Sequence, residues 1–176
     1  MKHRPDKHTY LSGKRVLPAP ITKESDIVSI IDNMDAYNCG RLRAACQLMR
    51  DKYSQEDVTI GLSIAGALTP AGLGPSTIIP LMNYGYVDWM VSTGANMYHD
   101  LHFAFNMPLF RGTHTVDDAD LRDKGVTRIY DILFDYEDVL MATDRILRKI
   151  MLRPEFQKEM GTREYYYLLG KIVNEY

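Results

Sequence analysis

The chain has 176 residues, a formal net charge of −2 and a pI near 6.2. That length suits one domain with a real core, and the charge lacks the basic excess of a general nucleic-acid binder. Hydrophobic residues make up 45% and charged residues 25%, a globular balance rather than a disordered one, and no run reaches the roughly 20 apolar residues of a membrane span.

Residues 1–24 are polar, contain Pro5, Pro18 and Pro20, and read as an extended N-terminal arm. Its charged start, Met1-Lys2-His3-Arg4, has no apolar stretch behind it, unlike a secretory signal. Ser25-Asp26 caps a predicted helix whose Ile27, Ile30, Ile31 and Met34 share one face. A second amphipathic run carries Leu42, Ala45, Cys46, Leu48 and Met49 and ends near Tyr53. Gly40 argues against one continuous helix through both runs. Cys39 and Cys46 lie two helical turns apart, about 10 Å along the axis, too far for a disulfide within that helix. Two free thiols fit a reducing compartment, so the protein reads as cytoplasmic.

Residues 58–64 form a short, mainly apolar run, as expected of a strand buried on both faces. A small-residue loop follows, and Pro75 can open a helix that Pro80 must kink or split. Tyr84-Gly85-Tyr86 closes it. The pattern then repeats, with residues 87–92 as a strand, Thr93-Gly94-Ala95-Asn96 as a turn, and residues 97–105 as a helix. Strand, small-residue turn and helix, twice over, predict an α/β fold with a parallel sheet. Its ligand site belongs at the carboxyl ends of the strands. Further on, residues 108–112 read as a loop or short strand, and residues 126–134 as strand-like. Residues 137–151 make a strong amphipathic helix, and a last helix covers about 163–173.

The two small-residue turns are the first candidates for chemistry. Small residues let a ligand approach the backbone, and the next helix offers free N–H groups suited to a phosphate. Neither turn is the GxGxxG fingerprint, and small residues equally serve tight strand-to-helix packing. His99 and His102, three apart, suit a metal pair or a packed pocket rim. Asp117, Asp118 and Asp120 read as solvated surface, and Asp135, Glu137 and Asp138 as partners of a helix dipole. Tyr165, Tyr166 and Tyr167 read as helical core or subunit contact, and Trp89 as core. Ser63 and Ser92 have no His–Asp partners that would suggest a hydrolase.

The ordered combination of Gly61-Leu62-Ser63, Leu68-Thr69-Pro70-Ala71-Gly72, Val87-Asp88, Ser92-Thr93-Gly94-Ala95-Asn96 and Asp100-Leu101 resembles the deoxyhypusine synthase family. The run from Tyr98 to Ala104, Arg111-Gly112 and the run from Ile129 to Glu137 look like its prokaryotic branch. The resemblance implies a Rossmann-like parallel sheet with flanking helices, incomplete at this length, over residues 25–176. It also implies a homotetramer with active sites at subunit interfaces. NAD would take a hydride from spermidine, and a lysine would hold the aminobutyl group as an imine. The group would pass to an acceptor amine, either a lysine of a translation initiation factor 5A-like protein or a small amine such as putrescine. By the same resemblance Gly66, Ala67, Leu68, Thr69, Pro70, Ala71, Thr93, Gly94 and Ala95 would contact NAD. Tyr98 and His99 would meet the substrate, where the protein-modifying branch carries two acidic residues. Family members run on well beyond this length, through the part that holds the imine-forming lysine. None of Lys124, Lys149, Lys158 and Lys171 sits in the matching motif, so no catalytic residue is assigned. The rival expectations are a shortened, non-catalytic paralogue serving as a partner subunit, and a generic nucleotide-binding α/β domain.

Overall fold

A computed structural model describes residues 6–53 and 55–175. Met1 to Pro5 of the expected arm lie outside these residues. The chain divides into two compact units, 1–58 and 59–176.

In the first unit, α1 (Lys7–Tyr10) is a single turn capped by Asp6, whose carboxylate accepts from the Thr9 N–H. Residues 12–24 form neither helix nor strand. Asp26 caps α2 (Ile27–Asp32) by accepting from the Ser29 N–H at 2.8 Å. The second helix, α3 (Tyr37–Tyr53), is separate, but the break falls before Gly40, at residues 33–36. Tyr37 enters α3 with φ of 58°, and the Asp35 carboxylate pairs with Arg43 in the second turn of that helix. Both cysteines lie in α3 as free thiols.

The second unit opens with β1 (Gly61–Ile64) and β2 (Trp89–Ser92), paired in parallel with Gly61 opposite Trp89 and Ile64 opposite Ser92. The ladder is shorter than the apolar runs because Asp88 closes its start. The Asp88 carboxylate accepts from the Ile60 N–H at 2.7 Å, and the Asp88 N–H donates to the Ile60 carbonyl. The expected burial on both faces is not found. Only Ile64 is buried in β1, and Trp89, expected in the core, is 54% exposed. Its indole packs against Gly61, where a Cβ would come within 2.2 Å of the ring. Between the strands the chain makes a 3-10 turn (Thr69–Ala71), a π turn (Gly74–Ile78) and α4 (Ile79–Asn83). The wide π turn just before Pro80 relieves the clash of its ring with the preceding carbonyls, so the expected helix is split.

After β2 the chain enters α5 (Gly94–Ala104). The helix starts inside the segment expected to be only turn. Beyond it, β3 (Phe110–Arg111) and α6 (Asp118–Asp123) lead to β4 (Val126–Ile129) and β5 (Ile132–Asp135). These strands form an antiparallel sheet in the order β3-β5-β4. The single strand expected at 126–134 is therefore a hairpin, turning at Tyr130-Asp131 with Tyr130 at φ 54°. Asp135 caps the next segment, which begins as a π turn (Tyr136–Met141) and continues as α7 (Ala142–Met151). A 3-10 turn (Pro154–Phe156) precedes α8 (Thr162–Val173). The core forms where α5, α7 and α8 meet, around Ile150, Leu169 and Ile172 with Leu101, Leu147 and Tyr165 packed against them. The result is a small parallel sheet with flanking helices, as expected, joined by an antiparallel sheet that was not foreseen.

Candidate functional site at the parallel strand ends

The two turns meet at the carboxyl ends of β1 and β2, and side chains tie them together. Asn96, in the first turn of α5, is only 2% exposed. Its Oδ1 accepts from the Leu68 N–H at 2.7 Å and the Thr69 N–H at 3.4 Å. The Thr69 hydroxyl returns a bond to the Asn96 carbonyl at 2.7 Å. Thr93 donates its hydroxyl to the Gly66 carbonyl and accepts from Asn96 Nδ2 at 3.2 Å. These five hydrogen bonds tie the first turn to the start of α5.

Thr93 occupies the N-cap of α5 but makes no side-chain cap, because its hydroxyl is turned to Gly66. No acidic residue lies in the first turn either. The first-turn amides thus have no side-chain cap, an arrangement that suits an anion. Space for one exists, since a Cβ built at Gly66 or Gly94 meets nothing within 4 Å. Gly66, at φ 69°, takes a left-handed turn that suits glycine. Of the expected cofactor residues, Gly66, Ala71, Thr93, Gly94 and Ala95 are exposed and Ala67 and Leu68 half-buried. Thr69 and Pro70 are buried and act as the floor of the turn. These open backbones and free amides fit a dinucleotide's phosphates.

A hollow of about 390 Å³ opens beside the end of β2, lined by Ser92 and Met97 with Thr162, Arg163 and Tyr166 of α8. The expectation of core and subunit contact for the tyrosine run did not single out this position. Tyr166 is half-buried there, while Tyr167 is 71% exposed. The signal available was a Gly161-Thr162-Arg163 helix start, a common pattern that names no ligand.

Tyr98 and His99 point into a polar cluster beneath the first turn of α5. The Tyr98 hydroxyl lies 2.7 Å from Asp144 Oδ1 and 3.1 Å from the Leu140 carbonyl. Burial, reinforced by the Asp144 carboxylate, pushes its ionisation well above the ordinary tyrosine range. His99 Nδ1 lies 3.0 Å from His102 Nε2, and His102 Nδ1 lies 2.9 Å from the Thr143 hydroxyl. His102 is fully buried, and desolvation with a smaller contribution from His99 lowers its pKa to about 4. Burial lowers His99 too. Asp100 faces Gly74, where a Cβ would sit 2.6 Å from its Oδ1. That oxygen is occluded without a hydrogen-bond partner, and desolvation raises the carboxyl's pKa. Among the described residues no group of three or more His, Cys, Asp or Glu side chains is placed to hold a metal. Among them, too, no helix is long and apolar enough to cross a membrane.

The family model for deoxyhypusine synthase matches residues 26–176. A deoxyhypusine synthase-like protein of Nostoc sp. is 49% identical over 164 residues, covering 93% of this chain and 43% of that protein. The protein of the same description in Nostoc punctiforme is 49% identical, over 93% of this chain and 42% of its own length. A probable deoxyhypusine synthase 2 of Methanosarcina mazei is 29% identical, over 93% and 47%. The chain thus spans less than half the length of these relatives. With the match of residues 26–176 added to the paired turns, the chain belongs to the deoxyhypusine synthase family.

Proposed function

We propose that this chain forms the cofactor-facing front portion of an NAD-dependent transferase. The enzyme moves an aminobutyl group from spermidine to an amine, either a lysine of an initiation factor 5A-like protein or a small amine such as putrescine. The observation that carries this reading is the pair of strand-end turns, locked together through Asn96 while the Gly66 and Gly94 backbones stay open. Family membership supports it. NAD, when bound, supplies the hydride acceptor. The chain's own part is to hold the dinucleotide, with residues 66–71 and Thr93, Gly94 and Ala95 against it and the α5 amides facing phosphate. Tyr98 and His99 stand one turn further along α5, on the substrate side. Assembly into a homo-oligomer would cover the exposed side chains of Trp89 and Val91, and the two free thiols fit the cytoplasm.

A second reading, a non-catalytic partner subunit, draws on one observation. Among the described residues no lysine lines the hollows beside the two turns. Incubation of the chain with NAD and spermidine, then borohydride and mass spectrometry, tests both readings. Saturable NAD uptake with no aminobutyl adduct on any lysine is the expected result. Absence of NAD uptake by the chain and by its assembly with a full-length relative would count against both readings and leave a generic α/β domain. An adduct on Lys124, Lys149, Lys158 or Lys171 would place the imine chemistry in this chain and remove the partner-subunit reading.

A further inference from the structure

The hollow at the carboxyl end of β2 holds about 390 Å³, within the range of small-molecule sites. Met90, Met97 and Tyr166 give it an apolar wall, and Ser92, Thr162 and Arg163 supply its polar groups. Among the described residues no carboxylate lines it. Arg163 is exposed and enters no ion pair among those residues, and the neighbouring acid, Glu164, is held by Lys158. The Ser92 hydroxyl donates only to the carbonyl of the next residue, Thr93, at 3.2 Å. Both groups are therefore free to turn to a ligand.

A sheet wound this way places a dinucleotide's adenosine ribose at the end of the strand that follows the first crossover. An acid roughly 20 residues past the glycine turn ordinarily bonds the ribose hydroxyl there, and its charge repels a 2′-phosphate. The acid at that distance from Gly66 is Asp88, but it stands at the opposite end of β2. Its carboxylate closes the start of the ladder by accepting from the Ile60 N–H at 2.7 Å. The carboxyl end of the strand runs Ser92-Thr93-Gly94-Ala95-Asn96, without an acid. The group that excludes NADP is thus missing from this strand end, and a guanidinium lies beside it instead. A guanidinium meets a phosphate with two parallel N–H donors.

We propose that this hollow takes the adenosine ribose and that Arg163, with Ser92, binds a phosphate at its 2′ position, so that the site favours NADP over NAD. The proposal rests on the reading of the two strand-end turns as a dinucleotide site. NAD still enters and leaves Arg163 unpaired. Arg163 is the specificity-determining residue, and Ser92 adds a hydroxyl donor at the strand end. The apolar wall of Met90, Met97 and Tyr166 suits the face of the purine.

The test is calorimetric titration of the full chain with NAD and with NADP, without spermidine. NADP should bind about tenfold more tightly than NAD, the scale of one charge-assisted contact. Added salt should narrow that gap, because the contact at an exposed arginine is screened. Arg163→Ala should bring NADP down to the affinity of NAD and leave NAD unchanged. Arg163→Lys should keep part of the preference, since an ammonium has the charge without the fork. Circular dichroism checks folding, which the loss of an exposed side chain with no ion pair should not disturb. A wild-type chain that binds NADP no more tightly than NAD overturns the proposal, whatever becomes of the variants. So does a folded Arg163→Ala variant that loses both ligands equally or keeps the full preference. Those results leave the NAD reading standing, whereas a chain that binds neither dinucleotide removes both.

Discussion

Replacing Asn96 with alanine is expected to destabilise the second unit by roughly 2–3 kcal/mol, because it strands buried donors. The amide oxygen holds the Leu68 N–H at 2.7 Å and the more distant Thr69 N–H, and its Nδ2 holds Thr93. With only 2% of Asn96 exposed, water cannot easily replace the lost partner. The first turn would lose its anchor to α5, so any ligand site built on both turns would loosen with it. Asn96→Asp keeps the acceptor and loses only the donor to Thr93, so it should fall between alanine and wild type. Urea unfolding followed by circular dichroism measures the series. An alanine variant within 0.5 kcal/mol of wild type, a change typical of a plain surface position, would mean that these bonds carry no weight.

The second large effect is acid sensitivity centred on His102. Its folded pKa of about 4 lies below the ordinary histidine value of 6.5 because the ring is buried, with His99 adding to the depression. Above 6.5 the imidazole is neutral in both states, and stability is complete. As pH falls from 6.5 towards 4 the unfolded chain takes up a proton that the folded chain refuses, so stability drops. The gap corresponds to about 3 kcal/mol. His99 is lowered by burial and acts in the same direction. Asp100 opposes it: its raised pKa makes the folded carboxyl bind a proton first, which recovers some stability towards the bottom of that window. Thermal unfolding at stepped pH should show the loss, and His102→Gln should flatten it. A wild-type profile that stays level from pH 6.5 to pH 4 would contradict the buried, neutral assignment.

The parallel strands and their turns were legible because strand-end glycines and small residues leave a local signal. The helix caps were legible too, since Asp26 and Asp135 sit where side-chain acceptors favour a start. The hairpin was not, because Tyr130-Asp131 lacks the glycine that usually marks a two-residue turn. Trp89 misled because an aromatic residue in an apolar run looks like core, whereas here it is 54% exposed and packs against Gly61. The site divides in the same way. Thr93 and Gly94 announce a turn by themselves, but the role of Asn96 depends on amides 27 and 28 positions earlier. The His99–His102 pair was visible as a helical spacing, while its partner Thr143 lies 41 residues beyond His102. Bonds between distant segments leave no periodicity in the sequence, so only the folded chain discloses them.

The central claim is that the backbone at Gly94 meets NAD. The direct measurement is calorimetric NAD titration of the wild-type chain beside Gly94→Val, with circular dichroism as the control for folding. A Cβ at Gly94 meets nothing within 4 Å, so the variant should fold. The added isopropyl group would stand in the cofactor's approach, and affinity should fall at least about tenfold, which corresponds to about 1.4 kcal/mol. A folded Gly94→Val variant that binds NAD as tightly as the wild type would contradict the account.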